Sequence, residues 1–405
     1  MGRDWDGANR AVLFLLSLYF CDCPRQEFSM VVIFVPKESA AGETRVAAVP
    51  ETVKGMQKLS ITVQVERGAG LASGFPDTAY SEAGATLMDA DGRKTADIVL
   101  GVQVPTPELC SAQKAGSMLI CTLTPGNALD SIKALRDAKV TAVGLEFMPR
   151  ITRAQKMDIL SSQATCGGYR AVLLASVHLP KMFPLMMTAA GTVKPARVLI
   201  LGAGVAGLQA ISTARKLGAI VEANDIRPAV KEQVESLGGK FVDTGSPPDA
   251  ETTGGYAKEA GQDFLNKQRE ILTAHITNAD VLITTALVPG KKAPLLVTAE
   301  MRRAMKPGSV IVDMAAGQGG NVEGSKSGET VVVDGVTIIG DTNLPAGVAA
   351  DASRMYARNT LAFLGEFIDK EGKSTVDTEG EIMGAVAIVH DGRIRHEPTA
   401  KAVQN

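Results

Sequence analysis

Val198-Leu199-Ile200-Leu201-Gly202-Ala203-Gly204-Val205-Ala206-Gly207 is the stretch that decides the fold. Val198 to Leu201 reads as a buried strand. Leu208, Ile211 and Leu217 then mark one face of a helix, and Ala219-Ile220-Val221 leads on to Asp225. This is the strand–glycines–helix–strand–acid order of a dinucleotide site. Gly202 permits the tight turn, Gly204 lets the backbone approach a pyrophosphate, and Gly207 lets the helix pack on the strand. The helix start offers free N–H groups and the positive end of its dipole to the phosphates. Asp225 follows Gly207 by 18 residues. A carboxylate there accepts the ribose hydroxyls of NAD. It repels a 2′-phosphate by roughly 1 to 4 kcal/mol at about 4 Å. The pattern therefore favours NAD(H) over NADP(H). Arg227 is the opposing feature, because an arginine there serves a 2′-phosphate, unless it points to solvent.

Outward from this motif, the chain of 405 residues has room for two or three domains. Hydrophobic residues make up 45% and charged residues 21%, an ordinary globular balance. A net charge of −2 gives no electrostatic case for nucleic acid or an anionic membrane. Five cysteines in this length do not make a disulfide framework. Cys21-Asp22-Cys23 is too short a cluster for zinc, so no metal is expected, and Cys110, Cys121 and Cys166 read as core or near-core thiols.

Short apolar runs alternate with helical stretches from residue 31 onward. Val31–Val35, Ile61–Val65, Ile98–Val102, Met118–Leu123 and Val140–Leu145 read as strands of one doubly wound parallel sheet. A helix over about Gly168–Met187 leads to a second sheet of Val198–Leu201, Ile220–Ala223, Val281–Thr285, Val310–Asp313 and Val336–Ile339. Residues 350–366 read as helical, and Asp391-Gly392 between apolar runs signals a hairpin. The tail is too short for a domain of its own. The fold class is therefore α/β: two doubly wound Rossmann-like domains with a cleft between them, the first discontinuous. Its pieces are residues 31–165 and 350–405, and the second domain is 166–349. Thr244 to Lys267 departs from the alternation. Its Gly254-Gly255-Tyr256-Ala257-Lys258 suits either a mobile flap or a surface loop. Residues 1–29 carry the apolar run Ala11–Phe20 behind Arg3 and Arg10, too short to span a bilayer. Met30 reads as the natural start, with a leader peptide as the alternative.

The order of further motifs resembles one family. Pro36-Lys37-Glu38 and Gly42-Glu43-Thr44-Arg45-Val46-Ala47 are similar to the opening of the alanine dehydrogenase and nicotinamide nucleotide transhydrogenase superfamily. Pro149-Arg150-Ile151-Thr152-Arg153-Ala154-Gln155-Lys156-Met157-Asp158-Ile159-Leu160-Ser161-Ser162-Gln163 is more specific. It resembles the loop that holds the nicotinamide in the NAD(H)-binding component of proton-translocating transhydrogenases. Met187–Thr192, Lys231–Gly239 and Thr284–Gly290 match as well. The resemblance runs from Val31 to about His396.

This resemblance implies NAD(H) in the cleft, and hydride passed to NADP⁺ on a separate NADP(H)-binding component. It also implies transmembrane subunits that couple the transfer to proton movement, and a homodimer at the cytoplasmic face of the membrane. Arg150, Gln155, Asp158 and Ser161 are implied to surround the nicotinamide and its ribose as catalytic and binding residues. The cofactor set is Gly202, Ala203, Gly204, Val205, Gly207, Asp225, Ile226 and Arg227, with Gly255 and Tyr256 in a closing loop and Thr285 and Leu287 lining the cleft. Transfer between two nicotinamides needs no side-chain acid or base. It needs the two C4 atoms about 3–3.5 Å apart, with water excluded. The chain ends at Asn405 behind a polar tail, which suits the soluble subunit of a split, bacterial-type enzyme.

Two other readings compete. Amino-acid oxidation in this superfamily uses a lysine in the segment that here reads Gly101-Val102-Gln103-Val104-Pro105. It also uses a histidine where this chain has Thr122-Leu123-Thr124. The histidines are His178, His275, His390 and His396, none of them there. The other reading is a non-enzymatic nucleotide-binding relative. It draws on three departures from the family pattern: Gly317 for an acid, Val322 for a cysteine, and Ala260 for a methionine.

Overall fold

The computed structural model describes residues 31–245, 262–287 and 292–404. Among these residues the strands form two main sheets and one small hairpin. The first sheet contains β1 (Val32–Val35), β2 (Thr62–Glu66), β3 (Thr86–Met88), β4 (Ile98–Gln103), β5 (Met118–Thr122) and β6 (Thr141–Gly144). The hairpin is β7 (Met186–Thr188) and β8 (Gly191–Val193). The second sheet contains β9 (Arg197–Leu201), β10 (Ile220–Asn224), β11 (Lys240–Phe241), β12 (Val281–Thr284), β13 (Val310–Asp313), β14 (Thr330–Val333) and β15 (Val336–Ile339). At the end of the chain, β16 (Ala387–His390) and β17 (Arg393–Ile394) return to the first sheet, where β16 pairs antiparallel with β6.

The spatial orders are β17-β16-β6-β5-β4-β1-β2-β3 and β11-β10-β9-β12-β13-β15-β14. Both are parallel except at one edge, where the tail hairpin and β14 run antiparallel. In each sheet the order reverses beside its first strand: between β4 and β1 in one, between β9 and β12 in the other. Ligands of such sheets bind outside the carboxyl ends of the strands at that point.

The central strands are buried end to end, as parallel strands covered on both faces must be. In the first sheet Ile33 and Val35 face a core shared with Tyr356, Phe363 and Leu364, while Phe34 faces Leu119, Ile132 and Leu135. Val198 and Ile200 face one core of the second sheet, and Leu199 and Leu201 the other. Cys110, Cys121 and Cys166 are buried, free thiols.

One helix differs from its expected bounds. The connecting helix is Ile159–His178, not Gly168–Met187. Asp158 caps its start, accepting from the Ser161 N–H at 2.9 Å. Leu179 is extended at its end, as the residue before Pro180 must be. Met186 and Met187 belong instead to the β7–β8 hairpin. The return helix, Ala349–Phe367, crosses from the second sheet to the first. The edge strand β14 carries no run of buried side chains, with Val332 70% exposed. Its signal is Asp334-Gly335, with φ of 52° and 77°, the turn that joins β14 to β15.

Candidate functional site

The glycine turn leaves β9 at the reversal point of the second sheet. Gly202 has φ +100°, and a Cβ on it would meet Thr285 Oγ1 at 2.5 Å. A Cβ on Gly207 would sit 1.9 Å from the Gly202 carbonyl oxygen, so only glycine lets the helix Val205–Lys216 dock on the turn. Gly204 is different: the nearest atom to its would-be Cβ is Arg227 Nη2 at 4.0 Å. Space is open where a phosphate must approach. No side chain caps this helix start, and the first intrahelical bond there runs from Leu208 N to Gly204 O. The N–H groups of the first turn therefore face that opening without intrahelical partners. An uncapped helix start beside open backbone fits an anionic pyrophosphate.

Thr285 and Leu287 follow β12, on the other side of the reversal point. Thr285 Oγ1 donates to Gly202 O at 3.0 Å and its N–H donates to Leu201 O at 2.8 Å, so it staples the glycine turn. Leu287 is half-buried in the following loop. The loop rests on a group that sequence reading missed. Asn321, fully buried, donates to Ala286 O at 2.9 Å and accepts from Ala286 N at 3.1 Å. Buried Asp313 in turn accepts from the Asn321 N–H.

Asp225 and Ile226 end β10. Asp225 is only 8% exposed and its carboxylate is already occupied. Oδ2 accepts from Ala203 N at 2.7 Å and from Arg227 Nη2 at 2.9 Å. Oδ1 accepts from Arg227 N and Nε, both at 2.9 Å. Arg227 therefore does not simply point to solvent, because its guanidinium embraces the acid. Four donors meet the four lone-pair sites of a carboxylate. A further donor would reach Asp225 only with the Arg227 side chain moved aside.

The residues Arg150, Gln155, Asp158 and Ser161 lie at the start of the connecting helix. Arg150 and Gln155 are exposed, Gln155 within the 3₁₀ segment Thr152–Met157. Asp158 Oδ2 accepts from Ser161 Oγ at 2.5 Å, besides capping the helix through Oδ1. These two are thus brought together. Farther along the same helix, a Cβ on Gly168 would lie 2.1 Å from Ala206 O, so the connecting helix touches the glycine-turn helix there. Seven residues at 1.5 Å each put that contact about 10 Å from Ser161. One helix thus joins the polar segment to the glycine turn. Gly255, Tyr256 and Ala260 lie outside the described residues.

A buried polar network stands at the reversal point of the first sheet, and its members carried no assigned role in the sequence. Arg45 Nε and Nη2 donate to Glu43 Oε1 and Oε2 at 2.8 and 2.6 Å. Arg45 Nη1 donates to Gln163 Oε1 at 2.8 Å, and Nη2 to Asn343 Oδ1 at 3.2 Å. Gln103 Nε2 donates to Glu43 Oε2 at 3.0 Å. Burial alone would raise the Glu43 carboxyl, but the Arg45 guanidinium outweighs it and holds it down to about 2. Burial also pushes Glu38 up to about 7, although Val102 N and Gln103 N donate to it. The network ties the loop after β1 to the connecting helix and to the loop after β15. Gln103 ends β4 and Thr124 follows β5, so these residues stand where the resemblance implies the lysine and histidine of amino-acid oxidation.

Comparisons agree with this geometry. The family description "Alanine dehydrogenase/PNT, N-terminal domain" matches residues 34–167, and the corresponding C-terminal domain matches 171–397. The chain is 49% identical over 375 residues to an NAD(P) transhydrogenase subunit alpha polypeptide of Rhodospirillum rubrum, covering 90% of this chain and 97% of that one. It superposes on a transhydrogenase from Sinorhizobium meliloti with TM-score 0.79 and 43% identity, over 91% of this chain and 99% of that one. An L-alanine dehydrogenase gives TM-score 0.76 at 27% identity, over 92% and 99%. Two Rossmann-like units, a glycine turn at a reversal point and these matches place the chain in the alanine dehydrogenase/PNT family, on its transhydrogenase side.

Proposed function

We propose that this protein is the NAD(H)-binding subunit of a proton-translocating transhydrogenase, active only together with its partners. The observation that carries the reading is the connecting helix. It leads from Asp158 and Ser161 to the uncapped glycine turn, so one rigid element positions both ends of an extended dinucleotide. Residues 31–165 with 350–405 form one unit and 166–349 the other, a division supported by the pairing of β16 with β6.

In this reading NAD(H), when bound, supplies the hydride donor or acceptor. The chain's own residues do the rest. Gly202–Gly207 and the helix start take the pyrophosphate, with Ala203 and Val205 flanking it. Asp225, with Ile226 beside it, takes the adenosine ribose once Arg227 moves. Thr285 and Leu287 wall the cleft. Arg150, Gln155, Asp158 and Ser161 orient the nicotinamide and its ribose. NADP(H) sits on a separate component, and the hydride passes directly between the rings. Proton coupling belongs to transmembrane partners, which hold this subunit at the cytoplasmic face of the membrane. Among the described residues no helix is long and apolar enough to cross a membrane.

A homodimer completes the proposal. The β7–β8 hairpin is a sheet of its own, and Met187 within it is 77% exposed, with Leu185 and Met182 just before it 58% and 53% exposed. Two lone strands are marginal in water, and a second copy would cover this apolar surface.

Stopped-flow mixing of the NADH-loaded protein with a purified NADP⁺-loaded partner component tests the function. Direct hydride transfer is expected, with no reduction of NAD⁺ by alanine when the protein is alone. Alanine oxidation by the pure protein, or no transfer with the partner, refutes the proposal.

A further inference from the structure

Within the segment that carries Gln155, Asp158 and Ser161, the Asp158 cap on Ser161 N–H and Oγ, at 2.9 and 2.5 Å, holds the helix start, but the stretch before it is held less firmly. It includes a six-residue 3₁₀ stretch, Thr152–Met157, and such stretches rarely exceed three or four residues. Its closing backbone bonds are long: Asp158 N to Gln155 O and Ser162 N to Asp158 O are both 3.4 Å. The exposed Arg153–Glu366 ion pair adds little. One side chain from elsewhere makes shorter bonds at both ends. Asn359, on the return helix, donates from Nδ2 to Lys156 O at 2.8 Å and accepts at Oδ1 from Ser162 Oγ at 2.6 Å. The two anchor points enclose Met157–Ser161, and Gln155 precedes the first of them.

We propose that Asn359 is a positioning residue for hydride transfer: its carboxamide clamps the segment 155–162 in the shape that presents Gln155, Asp158 and Ser161 to the nicotinamide. The inference rests on the proposed function, in which that segment meets the reacting rings. A carboxamide suits the task because one planar group offers a donor and an acceptor in opposite directions. Asn359→Asp keeps the acceptor for Ser162 but turns an oxygen toward the Lys156 carbonyl. Asn359→Ala removes both arms, and Ser162→Ala removes one.

The test uses the whole protein with three readouts: amide exchange of residues 152–158, NADH affinity, and single-turnover transfer to NADP⁺ on the partner component. In Asn359→Ala, exchange in that segment should speed up about tenfold or more through local opening. Transfer should slow about 10- to 100-fold, the scale of a 1 Å misplacement. NADH affinity should change less than about threefold, since the pyrophosphate and ribose contacts lie elsewhere. Asn359→Asp should behave like Asn359→Ala, and Ser162→Ala should fall between it and the parent. Unchanged exchange overturns the clamp. Faster exchange with unchanged transfer overturns the positioning role. In that case Gln155→Asn tells the two ideas apart. If it slows transfer, only the role of Asn359 has failed; if it is silent too, the placement of the reacting centre has failed. Should Asn359→Ala not fold, Ser162→Ala carries the same readouts, and the same results decide for or against the clamp.

Discussion

Replacing Arg45 with methionine isolates the buried charge network at the reversal point of the first sheet. The Glu43 side chain is fully buried and that of Arg45 is 6% exposed, so screening by water is small. In Arg45→Met, Glu43 keeps Gln103 Nε2 and Asn343 Nδ2 but loses the guanidinium. Burial would raise the Glu43 carboxyl, but the Arg45 guanidinium, with smaller help from Gln103 and a backbone N–H, holds it at about 2, against an ordinary value of 4.5. At about 1.4 kcal/mol per unit this difference is roughly 3 kcal/mol. Removing one partner of a buried pair costs about 3–5 kcal/mol by direct measurement in other proteins, which agrees. Arg45→Met should therefore lose about 3 kcal/mol in urea unfolding at pH 7. Because Arg45 also binds Gln163 and Asn343, NADH affinity should fall with it. The sign of the pH dependence follows from the depressed folded value. The contribution of Glu43 is complete above 4.5 and is lost as pH falls toward 2, and this acid dependence should weaken in Arg45→Met. The double variant Glu43→Gln/Arg45→Met leaves no buried charge from the pair and should recover part of the loss. A loss below about 1 kcal/mol in Arg45→Met, or a double variant worse than the sum of the singles, would refute the reasoning.

Further outcomes are expected at the nucleotide site. Gly207→Ala drives a Cβ to 1.9 Å from Gly202 O and should cost about 1–3 kcal/mol of stability as well as NADH binding. Gly204→Ala fits the folded protein, so thermal melting should hold while nucleotide titration shows weaker NADH binding; a large stability loss there would contradict the open-space argument. Arg227→Ala leaves Asp225 with its two backbone donors, Ala203 N and the N–H of residue 227, and removes a cation from the proposed ribose site. The preference for NADH over NADPH should widen by about fivefold, the equivalent of roughly 1 kcal/mol for two charges about 4 Å apart in water; fluorescence titration showing a narrower gap would overturn this. Gln155→Asn should slow single-turnover transfer about 100-fold while NADH affinity barely moves, because ring placement and not the anchoring contacts is disturbed; an equal fall in affinity would make Gln155 a binding residue.

The central strands of both sheets, the glycine turn and the tail hairpin were legible in the sequence, because each is written in neighbouring residues, whereas the short edge strands β3, β11 and β14 have no run of buried side chains to mark them. Val198–Leu201 is apolar without interruption because its strand is covered on both faces, and Asp391-Gly392 makes its turn with φ of 48° and 69°. Gly202, Gly204 and Gly207 announce a dinucleotide site through backbone geometry alone. The connecting helix was half-legible: small residues such as Gly167, Gly168, Ala171 and Ala175 line its buried side. They pack closely against other elements but leave no apolar stripe to mark where the helix begins. The state of the polar residues became visible in the folded chain alone. That Asp225 is enclosed by Arg227 depends on rotamers that spacing does not encode. Arg45 meets Asn343 across 298 residues, and Asn359 meets Lys156 across 203. A hydrogen bond between such distant residues imposes no period on the chain, since it requires only that two folded surfaces bring one donor to one acceptor.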